Sequence, residues 1–216
     1  MLIERPPGLL KKAFPKMVWK IPEARDSLFL TFDDGPTPGI TEEVLSILRD
    51  FNVRATFFCL GKNVDKYPDL YARILSEGHL TGNHTYSHLN GWKSKTEDYI
   101  EDIELAGKIV HSNLFRPPYG KIKPKQSSRI RKDYHIIFWD VLSRDYDVNI
   151  SGEDCYHNVM HYARGGSIIV FHDSVKAGKR VLYALPRLLE ELGRKNYDFQ
   201  LLLPSDIRFP KPGEWS

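Results

Sequence analysis

The feature that most constrains this chain is an alternation. From Ser27 onward, short apolar runs are separated by segments of helical period, and Gly, Pro or Asn stands at most of the joins. Parallel strands need a crossover of a dozen or more residues, usually a helix, so the pattern reads as repeated βα units. Apolar runs at 28–32, 55–60, 79–83, 114–115, 135–141, 167–171 and 199–203 predict about seven strands. Helical segments are predicted at 41–51, 68–78, 96–111, 153–164 and 181–195. Thr41 reads as an N-cap with Glu42 and Glu43 in the first turn. Pro68 marks a helix start and Gly78 a stop. Pro117 and Pro118 close the fourth run, because neither can donate to a strand ladder.

In a chain of 216 residues this pattern suits an α/β fold, either a doubly wound sheet or a distorted (β/α) barrel of about seven strands. With no internal repeat, low-complexity tract or linker, it predicts a single domain over 27–216 behind an N-terminal arm, 1–26. Hydrophobic residues make up 41% of the chain, which excludes disorder, collagen and coiled coil. Lys and Arg total 31 against 28 acids and are interleaved with them, a balance that disfavours nucleic acid as a partner.

No window approaches the roughly 18 continuous apolar residues of a membrane helix. The stretch 9–19 mixes Lys with Leu, Phe, Met and Trp and reads as part of an arm packed on the domain in preference to a membrane-surface segment. Pro6, Pro7, Lys11, Lys12 and Pro15 break any secretory-signal pattern, so the expected compartment is the cytoplasm. Cys59 and Cys155 are expected to be reduced thiols.

Polar residues able to do chemistry gather at the ends of the runs: Asp33 and Asp34, His84 and His88, Arg116, Asp140 and Asp145, and His172. In a barrel those ends share one face, where active sites are built. The pair of acids in Thr31-Phe32-Asp33-Asp34-Gly35-Pro36 would by itself read as a turn. In His84-Thr85-Tyr86-Ser87-His88 the four-residue spacing would set two imidazoles on one side of a helical turn, within reach of one metal. One further oxygen ligand would leave a coordination position open for water, as in catalytic zinc sites. Spacing alone is weak, because His157 and His161 are also four apart in a segment that reads as an ordinary amphipathic helix.

The order of five clusters, TFDDGP, HTYSH, RPPYG, SRDY and IIVFHDS, resembles the polysaccharide deacetylase family, also called the NodB homology domain or carbohydrate esterase family four. The resemblance runs from about Leu28 to Ser174. It implies a distorted (β/α) barrel, a divalent metal, and hydrolytic removal of acetyl groups from carbohydrate. Carried over by motif, Asp33 is the expected general base, and Asp34, His84 and His88 the metal ligands. Arg116 would orient and tune Asp33, and the Tyr119 backbone N–H would help bind the oxyanion. His172 is the expected general acid, Val170 part of the acetyl-methyl pocket, and Asp145 the acid that pairs with the arginine. Tyr146 stands where the family usually has Trp, on the pocket wall.

The donor set favours Zn2+, with Co2+, Mn2+ or Ni2+ able to substitute. The expected substrate is N-acetylglucosamine-containing material, chitin-like or peptidoglycan-like. An O-acetyl esterase on xylan is the alternative, and a non-catalytic carbohydrate-binding relative is the alternative of another class. The polymer bound and the oligomeric state are not legible in the sequence, and a polymeric substrate stands in tension with a cytoplasmic address.

Overall fold

The computed structural model describes residues 5–8, 11 and 14–207. Its strands are β1 (Ser27–Asp33), β2 (Thr56–Cys59), β3 (Leu80–Asn83), β4 (Leu114–Phe115), β5 (His135–Ile136), β6 (Val141–Leu142), β7 (Ile168–His172) and β8 (Asp198–Phe199). The helices are α1 (Ile40–Asp50), α2 (Gly61–Lys66), α3 (Pro68–Ser76), α4 (Thr96–Gly107), α5 (Pro124–Ile130), α6 (Gly152–Tyr162) and α7 (Gly178–Arg194). Every ladder is parallel, in the order β5-β4-β3-β2-β1-β7-β6, with β8 beside the start of β1. The two outer strands of that order, β5 and β6, are consecutive in sequence. The sheet is therefore a curled half-barrel with one open seam, the distorted (β/α) barrel expected, and not a doubly wound sheet.

All seven residues of β1 are buried, as a parallel strand covered on both faces requires. Leu28, Leu30 and Phe32 pack outward with Val44, Leu45 and Leu48 of α1 and Val181, Leu185 and Leu188 of α7. Phe29 turns inward with Phe58, Leu114 and Ile168. Thr31 and Asp33 share the inward face of β1 by the two-residue strand period and lie level with Val170 and His172 of β7. The interior is thus apolar at the N-terminal ends of the strands and polar at their C-terminal ends.

The fold departs from the sequence pattern at four points. The run 135–141 is not one strand. Its start pairs with β4 and its end with β7, while Ile137 between them bridges in parallel to Val18 of the N-terminal segment. Asp140, expected among the strand-end residues of the chemical face, lies instead at the start of β6. Its Oδ2 accepts from Ser167 just before β7, and its Oδ1 is ion-paired with Lys11. The run 199–203 is laddered only at Asp198–Phe199, although Leu202 is buried in the barrel. Thr41 is not the N-cap of α1: that position is Gly39, whose N–H is held by the Glu42 side chain, and Thr41 sits fully buried inside the first turn.

From the N-terminal segment, Met17 and Trp19 pack with Phe115, Ile136 and Phe138, and Val18 and Ile21 with the barrel interior. Residues 9, 10, 12 and 13 of the stretch weighed for surface binding lie outside the described residues. No helix among the described residues is long and apolar enough to cross a membrane. Both cysteines are free and buried.

Candidate active site

The C-terminal ends of β1, β3, β4 and β7 bring Asp33, Asp34, His84, His88, Arg116 and His172 together. Backbone left-handed at Asp34 (φ 81) turns this residue out of the strand that Asp33 ends. Its carbonyl is held by Asn63 Nδ2 of α2 at 2.8 Å. Gly35 follows because nothing larger fits: a Cβ there would lie 1.9 Å from Oδ2 of the buried Asp173.

The two imidazoles do converge, though not by helical spacing. Residues 84–88 form no helix, and Thr85 (φ 68) and His88 (φ 64) are both left-handed. The segment is folded by its neighbours. Asp102 of α4 accepts from the Tyr86 and Ser87 N–H groups and from the Ser87 hydroxyl, Asn83 Oδ1 accepts from Thr85 N–H, and Thr85 Oγ1 from His88 N–H.

One ligand atom from each of Asp34, His84 and His88 lies within 4.8 Å of the other two. Asp34 Oδ1 is 3.1 Å from His88 Nε2 and 3.6 Å from His84 Nε2, and it is buried without a hydrogen-bond partner. His84 Nδ1 donates to the Arg116 carbonyl at 2.8 Å, which turns the Nε2 lone pair toward Asp34. His88 Nδ1 lies 3.1 Å from the Tyr119 hydroxyl, with the same consequence when that hydroxyl accepts. Burial pushes His84 down to about 4, so its ring is neutral near pH 7. Burial alone would raise Asp34, but the surrounding imidazoles outweigh it and hold this carboxyl well below its ordinary range. An orphaned carboxylate oxygen facing two imidazole nitrogens suits a divalent cation. His157 and His161, by contrast, stand exposed on α6, and His157 is ion-paired with Glu153.

Arg116 is fully buried with its guanidinium 4.1 Å above the Phe58 ring. NH1 donates to Asp33 Oδ1 and to Thr31 Oγ1, each at 2.7 Å. Nε donates to the Ile137 carbonyl at 3.3 Å and NH2 to the Phe138 carbonyl at 3.1 Å. Asp33 is thereby clamped through Oδ1, while its Oδ2 lies 4.0 Å from His84 Nε2, beside the Asp34, His84 and His88 cluster.

Across the site, His172 Nδ1 is 2.7 Å from Asp145 Oδ1, and the His172 backbone N–H donates to Asp145 Oδ2 at 2.6 Å. Asp145 was expected to pair with the arginine; its partner is His172 instead, because Arg116 is wholly engaged on the β1 and seam side. Burial pushes His172 down, but Asp145, with Asp34 and Asp33 behind it, lifts it to about 9. Burial raises the neighbouring Asp173 to about 7, with Asp34 and Asp33 adding to the rise and the Thr41 hydroxyl at 2.6 Å opposing it.

Tyr119 is left-handed (φ 60), and its N–H donates to no backbone carbonyl among the described residues. Its ring lies 4.6 Å from that of His88. Val170 is buried on the inward face of β7 two residues before His172, and the Tyr146 ring meets His172 edge-on at 5.0 Å. Thr31, Asn63, Asn83 and Asp102 were not singled out from the sequence, yet they hold the site in shape. Asp102 alone carried a readable signal, an acid on the apolar face formed by Tyr99, Ile100, Ile103 and Ala106.

Residues 20–135 match the family model described as polysaccharide deacetylase. A peptidoglycan-N-acetylglucosamine deacetylase of Bacillus cereus is 34% identical over 191 residues, 85% of this chain and 89% of its own. A chitooligosaccharide deacetylase of Azorhizobium caulinodans is 32% identical over 162 residues, 71% of this chain and 77% of its own. Among solved structures, a peptidoglycan N-acetylglucosamine deacetylase in complex with an N-hydroxybenzamide derivative superposes with a TM-score of 0.85 at 31% identity, covering 95% of this chain and 98% of that one.

Proposed function

The chain belongs to the polysaccharide deacetylase family, whose members are metal-dependent hydrolases, and from that premise we propose that it removes N-acetyl groups from β-1,4-linked N-acetylglucosamine units of peptidoglycan-like or chitin-like chains. The observation that carries the reading is the placing of two differently prepared groups on either side of the Asp34, His84 and His88 triad: Asp33 clamped by Arg116, and His172 held protonated by Asp145.

Asp34, His84 and His88 would hold a divalent metal, zinc by the preference of this donor set. Such an ion, when bound, supplies Lewis acidity to a carbonyl oxygen and acidity to water. Asp33 is the base: Arg116 occupies Oδ1, leaving Oδ2 to take the proton of the attacking water. The Tyr119 N–H is the donor for the developing oxyanion. His172 is the acid. Its Nδ1–H is committed to Asp145, so Nε2–H is left to protonate the departing nitrogen. Val170 and Tyr146 wall the space for the acetyl methyl.

The protonation of His172 favours an amide over an ester. An amine cannot leave as an anion and needs a proton, whereas an ester's alkoxide is a far better leaving group. Acetate release from N-acetylglucosamine oligomers and from acetylxylan, each with and without added zinc, tests the reading. Faster release from the oligomers, dependent on metal, is expected; release from acetylxylan alone would assign the chain to the esterases.

A further inference from the structure

The four most exposed large hydrophobic residues among those described are Val175 (78%), Val148 (64%), Trp92 (60%) and Tyr119 (59%). All four stand on loops that follow the C-terminal ends of strands, after β7, β6, β3 and β4, around the mouth of the candidate site. Exposed apolar surface gathered at one mouth marks a place that a ligand covers.

Trp92 is distinguished within this group because it is held in position. Its Nε1–H donates to the Ile122 carbonyl at 3.3 Å, which leaves the exposed part of the indole purely apolar. The loops after β3 and β4 are pinned to each other by Gln126 Nε2 on the Gly91 carbonyl at 3.0 Å and Lys123 Nζ on the Ser94 carbonyl at 2.6 Å. At Gly91 the approach is so close that a Cβ would lie 2.4 Å from the Lys121 carbonyl oxygen. The Lys121 ammonium lies 5.4 Å from the Trp92 ring centroid.

This wall begins at the metal ligands. His88 is four residues before Trp92, and Tyr119, in ring contact with His88, is two before Lys121. A flat apolar ring fixed in place complements the face of a pyranose, whose C–H groups pack on the aromatic surface, while the flexible Lys121 side chain, whose ammonium lies over the ring, swings aside to donate to the sugar hydroxyls.

We propose that Trp92 is a platform for the sugar next to the one that is deacetylated, with Lys121 binding that sugar's hydroxyls, so that the protein selects chains over single sugars. The proposal rests on the N-acetylglucosamine reading above. Its test compares wild type, Trp92→Ala and Trp92→Phe on the N-acetylglucosamine tetramer and on 4-nitrophenyl acetate. In parallel, the tetramer is titrated calorimetrically into protein stripped with a chelator. Loss of one aromatic contact should weaken tetramer binding, in KM and in the metal-free titration alike, by about tenfold. The ratio of tetramer to aryl acetate turnover at low substrate should fall by a similar factor, and Trp92→Phe should recover most of both.

Unchanged tetramer binding in Trp92→Ala, or equal losses on tetramer and aryl acetate, would overturn the platform. A wild type that cleaves aryl acetate but releases no acetate from the tetramer sinks the function reading instead, and the metal-free titration then still decides on Trp92. If the wild type does not bind the tetramer at all, both fall.

Discussion

Replacing Asp145 by asparagine should displace the alkaline limb of catalysis. Asp145 is the strongest influence raising His172 against burial, and the ring stands at about 9. Asparagine removes the charge and offers one acceptor oxygen to two donors, the ring Nδ1–H and the His172 backbone N–H. Burial is then opposed by the weaker Asp34 and Asp33, and the ring falls back toward its ordinary 6.5. The protonated fraction at pH 8 drops from about 0.9 to about 0.03, roughly a 30-fold loss of amide cleavage. At pH 6 it is about 0.8 in the variant, and the gap closes to within about twofold. Any charge held at Asp34 acts on both proteins alike, so their difference isolates Asp145.

The measurement is kcat for acetate release from the N-acetylglucosamine tetramer between pH 5.5 and 10, with metal content checked in each sample. Stability supplies an independent check of sign. A histidine whose folded value lies above its unfolded 6.5 adds stability that is fully present below pH 6.5 and is lost as pH rises through about 9. The difference in urea midpoint between wild type and Asp145→Asn should therefore be greatest below pH 6.5 and shrink by pH 9. Two pH profiles of the same shape, separated by a constant factor, would mean that Asp145 only positions the ring and that His172 is not the acid.

Asp33→Asn should keep stoichiometric metal in elemental analysis while turnover falls about 10²- to 10⁴-fold, whereas Asp34→Asn should lose the metal itself; the opposite pattern would exchange their roles. Arg116→Ala leaves Asp33 buried beside an empty guanidinium site and should cost about 3–5 kcal/mol in chemical denaturation, against a small change if the pair were solvated. Gly35→Ala forces a methyl into Asp173 and should lower stability by about 1–3 kcal/mol, read as a drop in the thermal midpoint. His79, which burial lowers to about 4 while its Nδ1 accepts from Ala55 N–H, contributes stability that is present above pH 6.5 and lost as pH falls toward 4; His79→Gln should flatten acid unfolding across that window.

The residues legible in the sequence share one property: each ends a run of apolar residues, so strand direction alone delivers it to the common face. Asp33, Asp34, His84, Arg116 and His172 are of this kind. Asp140 had the same local appearance and went to the other end of the barrel, because residues 135–142 change partners midway from β4 to β7. Nothing in this window of eight mostly apolar residues records a change of partner. Helices α2 and α5 were missed for a related reason. They are six and seven residues long, too short for helical period to separate from loop, and α2 is held by contacts such as Asn63 to the Asp34 carbonyl that sequence does not display. The spacing of His84 and His88 points to two imidazoles that do converge, but by another geometry, since two left-handed residues and Asp102, from a helix more than a dozen positions away, do what a helical turn was expected to do.

The seam between β5 and β6 and the buried Arg116 account for each other. A guanidinium with no exposed surface needs acceptors for its fork of N–H groups, and one carboxylate oxygen and one threonine hydroxyl use only NH1. Had residues 135–142 continued as a regular strand between β4 and β7, the carbonyls of Ile137 and Phe138 would have been available to ladder partners. Divided between two neighbours, the strand leaves those two carbonyls to Nε and NH2 of Arg116. The open seam thus supplies the acceptors that keep a cation buried beneath Asp33, and the cation satisfies carbonyls that the seam would otherwise orphan. On this account the distortion of the barrel is a requirement of Asp33's position, and a regular closed barrel of the same residues would leave Asp33 without its clamp.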